Sequence, residues 1–327
     1  MKTVDFIILN WKTETETLAC LRAIHELNGD YHRNIIVVDN GSTSTSQKTL
    51  SDSGLASHVV INKENLGFSG GINSAQPYFE GEVIALVNSD CLLGKDWLEI
   101  GMKVLTDREV GLVGGREFLW NDANPAYNTA NESTLLPLIN PRDCSVEPAL
   151  PNTHSRNDLV FITASNLLIR GELFSKLNGF DASFFLYLED ADFCARMINL
   201  GYKIAFASEM QAWHRINLSS SRMPYNQVYF SRRNRYIVIA EHFGSDWASR
   251  VFKIATHELL ANARRWQPGN EPKAVMHRAA TKAAAWALIH FPNLAWRRKR
   301  YHRQLAKKPI YYERLTQLYN QETRASK

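Results

Sequence analysis

Two aspartates lie at the ends of buried apolar runs, where a carboxylate can do chemistry. Asp39 ends the run NIIVVD at 34–39, and Asp90 closely follows VIALVN at 83–88. An aspartate after a strand is often a turn former or a helix N-cap, and for DNGSTS taken alone that interpretation is as good as a functional one. Two of them, after strands that are expected to be neighbours, favour a site. One carboxylate can accept hydrogen bonds from a nucleoside, and the other can hold magnesium or manganese against a diphosphate.

A second group of carboxylates follows the aromatic and aliphatic run FFLYL at 184–188. Glu189, Asp190 and Asp192 lie within four positions of one another. The dipole of a helix favours acids in its first turn, and a helix that starts here accounts well for Asp192. It does not account for the aromatic run before the acids, which suits a sugar-binding pocket.

The first half of the chain alternates short apolar runs with stretches that can be helical. The runs are bounded by turn residues and read VDFIIL at 4–9, NIIVVD at 34–39, HVVI at 58–61 and VIALVN at 83–88. This alternation predicts βαβ units on a mostly parallel sheet flanked by helices. Ligands bind beyond the carboxyl ends of the strands in such a sheet, which is where Asp39 and Asp90 lie.

The second half of the chain is less regular. Prolines 137, 141, 148 and 151 indicate a long irregular stretch between about 120 and 157, which we interpret as a loop that folds over a substrate. Strand-like runs return at LVFITA and KIAFA. From about residue 225 onward the pattern is helical.

Other nucleotide-binding classes lack their motifs in this sequence. The turn after the first run, LNWKT, contains no glycine, which excludes a dinucleotide-binding dehydrogenase and offers no phosphate loop of the nucleotidyltransferase type. The glycine-rich NLGFSGGINSA at 65–75 lacks the Lys and Ser or Thr of a P-loop. Its glycines form either a tight turn or a close approach of backbone to a ligand.

The composition predicts a globular chain that stays in the cytoplasm. The 327 residues are 45% hydrophobic, which suits one large domain with an appendage. We find no export signal, and AAAWALIHF at 283–291 is about half the length that crosses a bilayer. The four cysteines are scattered, as in a reduced protein without a zinc site.

The net charge of +5 is concentrated in one segment. WRRKRYHRQLAKK at 296–308 holds seven Lys or Arg and no acid. Such a run is either a solvated helix face or, with Trp296 and Tyr301, a contact with an anionic membrane surface. Nucleic acid is not expected as a partner, because we find no recognition motif for it.

A set of motifs in this order resembles the family 2 inverting glycosyltransferases of the GT-A fold, and within them the rhamnosyltransferase-like branch. The motifs are IILNWKT, IIVVDNGSTS, NLGFSGGINSA, ALVNSDC, the long segment from Asn166 to Phe206 and AWH at 212–214. The resemblance extends from about residue 3 to 216 and leaves the C-terminal third uncovered.

The resemblance implies a donor site for a nucleotide-diphosphate sugar. Asp39 would bind the nucleobase or its ribose, and Asp90 and His214 would ligate a divalent cation, Mg²⁺ or Mn²⁺. The family's metal motif is often D-x-D, whereas this chain has NSD, with Asn88 in place of the first acid. The full set implied for the donor is Asn10, Trp11, Asp39, Asn65, Gly67, Asn73 and Asn88.

The resemblance also implies the catalytic groups. Asp190 would be the base that takes the proton from the acceptor hydroxyl, and Glu189 would bind acceptor hydroxyls or orient Asp190. Asp192 would cap or support the helix. For the arginines of YFSRRNRY, Arg232, Arg233 and Arg235, contact with a phosphate and a solvated or membrane-facing surface are both open.

The sequence therefore predicts an α/β protein with a GT-A, Rossmann-like sheet at 1–220 and a basic helical extension at 221–327. Within the first part, 1–115 would bind the nucleotide and 116–220 the acceptor. The predicted activity is transfer of rhamnose or another hexose to a saccharide or a polyprenyl-diphosphate-linked acceptor in bacterial surface polysaccharide synthesis, with peripheral membrane contact. The alternatives are a catalytically silent glycan-binding or scaffold protein and a nucleotidyltransferase.

Overall fold

The computed structural model describes residues 2–121, 126–127, 133–150, 153–215, 223–265 and 271–325. Its strands are β1 (Lys2–Asn10), β2 (Tyr31–Asn40), β3 (His58–Asn62), β4 (Val83–Asn88), β5 (Cys91–Leu93), β6 (Val110–Leu119), β7 (Leu136–Ile139), β8 (Val146–Leu150), β9 (Arg156–Leu159), β10 (Asn166–Arg170) and β11 (Lys203–His214). Its α-helices are α1 (Glu14–His25), α2 (Ser44–Asp52), α3 (Gly67–Asn73), α4 (Trp97–Val104), α5 (Gly171–Lys176), α6 (Glu189–Asn199), α7 (Pro224–His242), α8 (Trp247–Arg265), α9 (Glu271–Ile289), α10 (Phe291–Gln304) and α11 (Tyr311–Ala325).

One mixed sheet forms the centre of the molecule, in the order β3-β2-β1-β4-β10-β6-β11-β5, with β9 also paired to β11. The pairs among β1 to β4 are parallel, as is the pair of β6 and β11, while β10 runs antiparallel between β4 and β6. The predicted α/β class with a mostly parallel sheet is confirmed. Asn10 pairs with Asp39, and Leu9 with Asn88, so the carboxyl ends of β1, β2 and β4 lie side by side.

Helices cover both faces of the sheet. On one face, Phe6 and Ile8 of β1 pack with Leu21 of α1 and Trp97 of α4, all of them buried. On the other face, Ile7 and Leu86 belong to a larger core that also contains α6 and the C-terminal helices. The alternation of side chains along a strand sends successive residues to opposite faces, which is why β1 and β4 are apolar throughout.

The predicted irregular stretch at 120–157 is wrong for its central part. β7 and β8 form an antiparallel hairpin there, in which Pro137 pairs with Pro148. Leu136, Leu138 and Ile139 are buried in the larger core. The hairpin tolerates proline because it is two-stranded, so each strand has an edge that needs no N–H donor.

The C-terminal helices α7 to α11 pack on the core rather than standing apart from it. Tyr236 of α7 and Tyr311 of α11 are fully buried in the same cluster as Phe193 of α6. Among the described residues, no helix is both long and apolar enough to cross a membrane.

Candidate active site

A cleft with a volume of about 430 Å³ opens at the carboxyl ends of β1, β4, β6 and β11. The loop before α6 and residues 134–137, which lead into β7, complete its walls. Eight of the residues predicted from sequence line it: Trp11, Asn65, Gly67, Asn88, Asp90, Glu189, Asp190 and His214. Three predicted residues, Asn10, Asp39 and Asn73, are not among its lining residues.

The three residues outside the cleft make hydrogen bonds within the protein. Asp39 is fully buried and accepts hydrogen bonds from Asn10 Nδ2 at 2.7 Å and from the Ser42 amide at 3.0 Å. Asn73 brackets the backbone of Phe180, donating to its carbonyl at 2.6 Å and accepting from its amide at 3.0 Å. The nucleoside-binding role of Asp39 and Asn10 therefore stays a prediction.

Asp90 and His214 meet on one side of the cleft. Asp90 follows β4 and His214 ends β11, and His214 Nε2 lies 3.2 Å from Asp90 Oδ1 and 3.3 Å from Asn88 Nδ2. Both side chains are buried, at 7% exposure each. Two residues 124 positions apart are brought together because β4 leads into β5, which pairs with the end of β11.

Glu117 is a charged residue of the cleft that sequence reasoning missed. It lies near the end of β6, with Oε2 3.4 Å from Nδ1 of His214, and it accepts hydrogen bonds from Ser165 Oγ and, at 3.1 Å, from Asn166 Nδ2. The signal in the sequence was an acid near the carboxyl end of an apolar run. The parallel pairing of that strand with β11 is visible only in the structure. Within the motif set, nothing marks GGREF as part of the site.

Glu117 and His214 each shift the pKa of the other toward its charged form. Burial alone lowers the pKa of His214, but the charge of Glu117 and hydrogen bonds with Asp90 and Glu117 outweigh it and raise the pKa to about 10. Burial alone raises the pKa of Glu117, yet His214 and the donors Ser165 and Asn166 bring it below its ordinary value. Asp90 and Glu117 thus favour a positive charge at the position of His214.

Glu189 and Asp190 lie at the start of α6, on the side of the cleft that α6 and its preceding loop form. Asp190 is partly exposed and accepts hydrogen bonds from the backbone amides of Ala191 at 2.9 Å and Ala164 at 3.4 Å. Burial raises the pKa of Asp190 to about 6, against the lowering effect of those amides. Burial, and after it the charge of Asp190, raise the pKa of Glu189 well above its ordinary value.

Asp192 faces away from the cleft. It accepts hydrogen bonds from Arg196 Nε at 2.8 Å and His242 Nε2 at 2.7 Å. Burial opposes ionisation, but these two partners outweigh it and lower the pKa of Asp192 to about 2. With Glu241 and His242 it forms a buried group that could chelate a metal, but Arg196 and Arg297 already neutralise its two acids. We interpret the group as an anchor between α6 and the C-terminal helices.

The loop between the 182–184 turn and α6 has an unusual backbone. Phe185, Tyr187 and Leu188 have φ values of 62°, 69° and 64°. Left-handed conformations at residues other than glycine cost on the order of 1–3 kcal/mol each and cluster at functional sites. Gly67 lies against this loop with φ of 74°, and a Cβ there would come within 2.2 Å of the Phe185 carbonyl oxygen. The glycine-rich segment is therefore needed for close packing of two loops that both line the cleft.

The three arginines of YFSRRNRY are not among the lining residues of the cleft. Arg232 and Arg235 both bind Glu258 of α8, and Arg233 binds the carbonyls of Ser183 and Phe184. Contact of these side chains with a donor diphosphate therefore has no support from the structure.

The described lining residues include four carboxylates, Asp90, Glu117, Glu189 and Asp190, and no Lys or Arg. A diphosphate placed in such a cleft is repelled unless a cation accompanies it. Asp90 and His214 offer a carboxylate and an imidazole, which suit Mn²⁺ or Mg²⁺. The residues present therefore fit a divalent cation.

Comparison with known proteins shows one consistent set of similarities. The sequence model of glycosyl transferase family 2 matches residues 5–176. A low-salt glycan biosynthesis hexosyltransferase of Haloferax volcanii is 24% identical over 72% of this chain and 74% of its own, and an O-antigen chain rhamnosyltransferase of Salmonella anatum is 25% identical over the same shares. A mannosyltransferase of Pyrobaculum calidifontis, solved with GDP-mannose and Mn²⁺, superposes with a TM-score of 0.51 and 16% identity over 96% of this chain and 85% of that one.

Proposed function

The chain belongs to glycosyl transferase family 2 and is a glycosyltransferase, and from this premise we propose that it transfers rhamnose or another hexose, with inversion, from a nucleotide-diphosphate sugar to a saccharide or polyprenyl-diphosphate-linked acceptor. The observation that carries the proposal is the arrangement of the cleft. A partly exposed carboxylate with a pKa near neutrality, Asp190, lines the same cavity as the cation-binding group of Asp90 and His214.

In the proposed reaction, Asp190 removes the proton of the acceptor hydroxyl as that oxygen attacks C1 of the donor sugar. The bond between C1 and the diphosphate oxygen breaks on the opposite face, which inverts the anomeric centre. Glu189, whose pKa is raised well above its ordinary value, lies beside Asp190 and would form a hydrogen bond with an acceptor hydroxyl, and its Oε2 has no partner among the described residues. Base assistance of this kind is worth on the order of 10²–10⁴-fold in rate.

Asp90 and His214 would hold the divalent cation, and Glu117 would fix the orientation of the imidazole through Nδ1. A carboxylate behind a metal-binding histidine is a common way to set its ring orientation. When bound, the cation balances the charge that develops on the leaving diphosphate. On the nucleotide side, Trp11, Asn65 and Gly67 line the cleft.

The domain division follows the same proposal. Residues 1–220 would carry donor and acceptor binding, with 1–115 on the nucleotide side and 116–220 on the acceptor side. Residues 221–327 would form the helical extension. The end of the central sheet at β11 and the start of α7 at Pro224 support a boundary in this region.

A screen of nucleotide sugars tests the proposed function directly. Each donor is incubated with the protein and Mn²⁺, release of the nucleoside diphosphate is measured, and active donors are paired with saccharide or polyprenyl-diphosphate acceptors. NMR of the product then gives the anomeric configuration. Retention of configuration, or release with no donor in the set, would contradict the proposal.

The pH dependence of glycosyl transfer is expected to follow the ionisation of Asp190. Its pKa is raised to about 6, and a base must be ionised to act, so kcat/KM for the acceptor should fall as the pH falls through about 6. The measurement is made at saturating donor and Mn²⁺, which keeps the cation site occupied. A midpoint near the ordinary aspartate pKa of about 3.9, or no acidic limb, would show that Asp190 does not limit the reaction.

Part of the predicted basic surface is directed inward. Arg297 binds Asp181 at 2.6 Å and Glu241 at 2.7 Å, and Arg298 donates to the carbonyls of Ala240 and Phe243. Neither of the two interpretations of the segment, a solvated helix face or a membrane contact, applies to these two arginines, because their guanidinium groups bind other parts of the protein. The exposed remainder is the basic face of α10 and the segment after it, which consists of Trp296, Lys299, Arg300, Arg303, Lys307 and Lys308.

We propose peripheral contact of this basic face with an anionic membrane. Trp296 is 55% exposed, with the Arg300 guanidinium 5.1 Å from its ring centroid, so an aromatic ring and cations share one surface. Each cation near the headgroups adds about 1 kcal/mol of attraction, which salt screens over about 8 Å at physiological ionic strength.

Replacement of Lys299, Arg300, Arg303, Lys307 and Lys308 by Gln is expected to lower binding to phosphatidylserine-containing vesicles at least about tenfold. Vesicle sedimentation at increasing salt measures it. The matched control removes five exposed lysines from the sheet domain, Lys48, Lys63, Lys95, Lys103 and Lys176. Equal losses in the two variants, or equal binding to neutral vesicles, would contradict the proposed contact.

A further inference from the structure

The strained loop at 185–188 leads directly into the catalytic carboxylates. Leu188 is the N-cap of α6 in a left-handed conformation, and Glu189 and Asp190 are the first two residues of that helix. The direction in which α6 begins, and with it the direction of Asp190, depends on a backbone that would relax if it were released. Something in the fold must hold this backbone in place.

Asn234 of α7 is the residue that holds it. Its side-chain amide donates to the carbonyl oxygens of Phe184, Leu186 and Tyr187 at 2.8, 2.8 and 2.7 Å. The side chain is fully buried, and its Oδ1 accepts from Arg233 Nε at 2.8 Å. The two N–H bonds of one amide group are thus shared among three of the four carbonyls from 184 to 187.

The neighbouring carbonyls are also engaged. The Phe68 amide donates to Phe185 O at 2.6 Å, and Arg233 donates to the carbonyls of Ser183 and Phe184. The carbonyls of residues 183–187 therefore each have a partner, and these partners come from α7 on one side and the glycine-rich segment on the other. α7 lies beyond the region that the family model matches.

We propose that Asn234 is a positioning residue for the transfer reaction, which clamps the 185–188 backbone so that α6 presents Asp190 to the acceptor hydroxyl. The inference rests on the proposed role of Asp190 as base. It gives the helical extension a part in catalysis through the backbone alone, because Asn234 does not line the cleft.

Replacement of Asn234 by Ala is expected to lower kcat about tenfold to a hundredfold while the Kd for nucleoside diphosphate with Mn²⁺ stays unchanged. Small misplacement of a reacting group has effects of this size on rate. Asn234→Asp keeps the shape and the acceptor for Arg233 but lacks the N–H donors, so it should show the same loss of kcat. If the alanine variant does not fold, the kcat of Asn234→Asp tests the positioning role in its place.

Asn199→Ala is the matched control. Asn199 lies at the other end of α6 and also makes three hydrogen bonds, with Tyr301 Oη and the amides of Ile310 and Tyr311. A general loss of stability should appear in both alanine variants as a lower melting temperature, whereas the loss of kcat should appear only in the Asn234 variants. Equal kcat values for Asn234→Ala, Asn234→Asp and the parent would overturn the positioning role.

Asp190→Asn is assayed alongside to separate the two proposals. If Asp190→Asn is inactive and the Asn234 variants turn over normally, only the positioning role fails. If Asp190→Asn turns over normally, the base assignment fails and the positioning role with it.

Discussion

Asp190→Asn is expected to lower the rate of glycosyl transfer by about 10²–10⁴-fold, the usual contribution of a general base. The amide has nearly the shape of the carboxylate but cannot accept the proton of the acceptor hydroxyl. The amide oxygen can retain the shorter hydrogen bond, from the Ala191 amide to Oδ1 at 2.9 Å, so the start of α6 should keep its structure, while the 3.4 Å bond from the Ala164 amide to Oδ2 is lost. The residues proposed to bind the donor lie on the other side of the cleft, so donor binding should be preserved.

The measurement combines turnover with calorimetry of nucleoside diphosphate binding in Mn²⁺. Asp246→Asn is the control, because Asp246 is an exposed acid that pairs with Arg250 on α8. Its turnover should equal that of the parent. Near-normal turnover of Asp190→Asn, with the fold verified by circular dichroism, would assign the proton transfer to another group.

The fold of residues 1–115 could be predicted because its signals are local. The run VDFIIL lies within β1 and VIALVN coincides with β4, and each contains a continuous apolar stretch that a strand buried on both faces requires. The parallel arrangement then places the ends of these strands at one edge. Asp90 and Asn88 lie at the cleft for that reason.

Contacts between distant segments could not be predicted in this way. Glu117 is 48 positions from Ser165 and 97 from His214. The insertion of antiparallel β10 between β4 and β6 brings it to Ser165, and the parallel pairing of β6 with β11 brings it to His214. Nothing in the periodicity of the segment after residue 115 indicates that insertion.

The sequence also could not predict which cations of the basic segment at 296–308 are exposed. A run of cations predicts solvent exposure, since buried charges need partners. Arg298 is an exception because its carbonyl partners in and after α7, Ala240 and Phe243, are 58 and 55 positions away. The position of α10 against α7 decides which cations are exposed, and that position depends on tertiary packing.

Asp90→Asn is expected to lower the Mn²⁺-dependent affinity for nucleoside diphosphate by about a hundredfold. The loss should be at least as large as the tenfold to hundredfold effect of removing a group that only supports a metal ligand. The cleft provides no described Lys or Arg that could take over the charge of the cation. The effect should therefore disappear when the metal is chelated, because both proteins then bind the nucleotide equally weakly.

Two titrations separate metal binding from catalysis. Electron paramagnetic resonance of Mn²⁺ gives the metal affinity without turnover, and calorimetry with and without Mn²⁺ gives the coupling between metal and nucleotide. Asp52→Asn, at an exposed acid at the end of α2, removes the same charge at a distance from the cleft and should leave both affinities unchanged. If Asp90→Asn retained the parent's Mn²⁺ affinity and coupling, the cation would have to be held elsewhere. Buried Asp90, whose Oδ1 lies 3.2 Å from His214 Nε2, would then form a structural ion pair with His214.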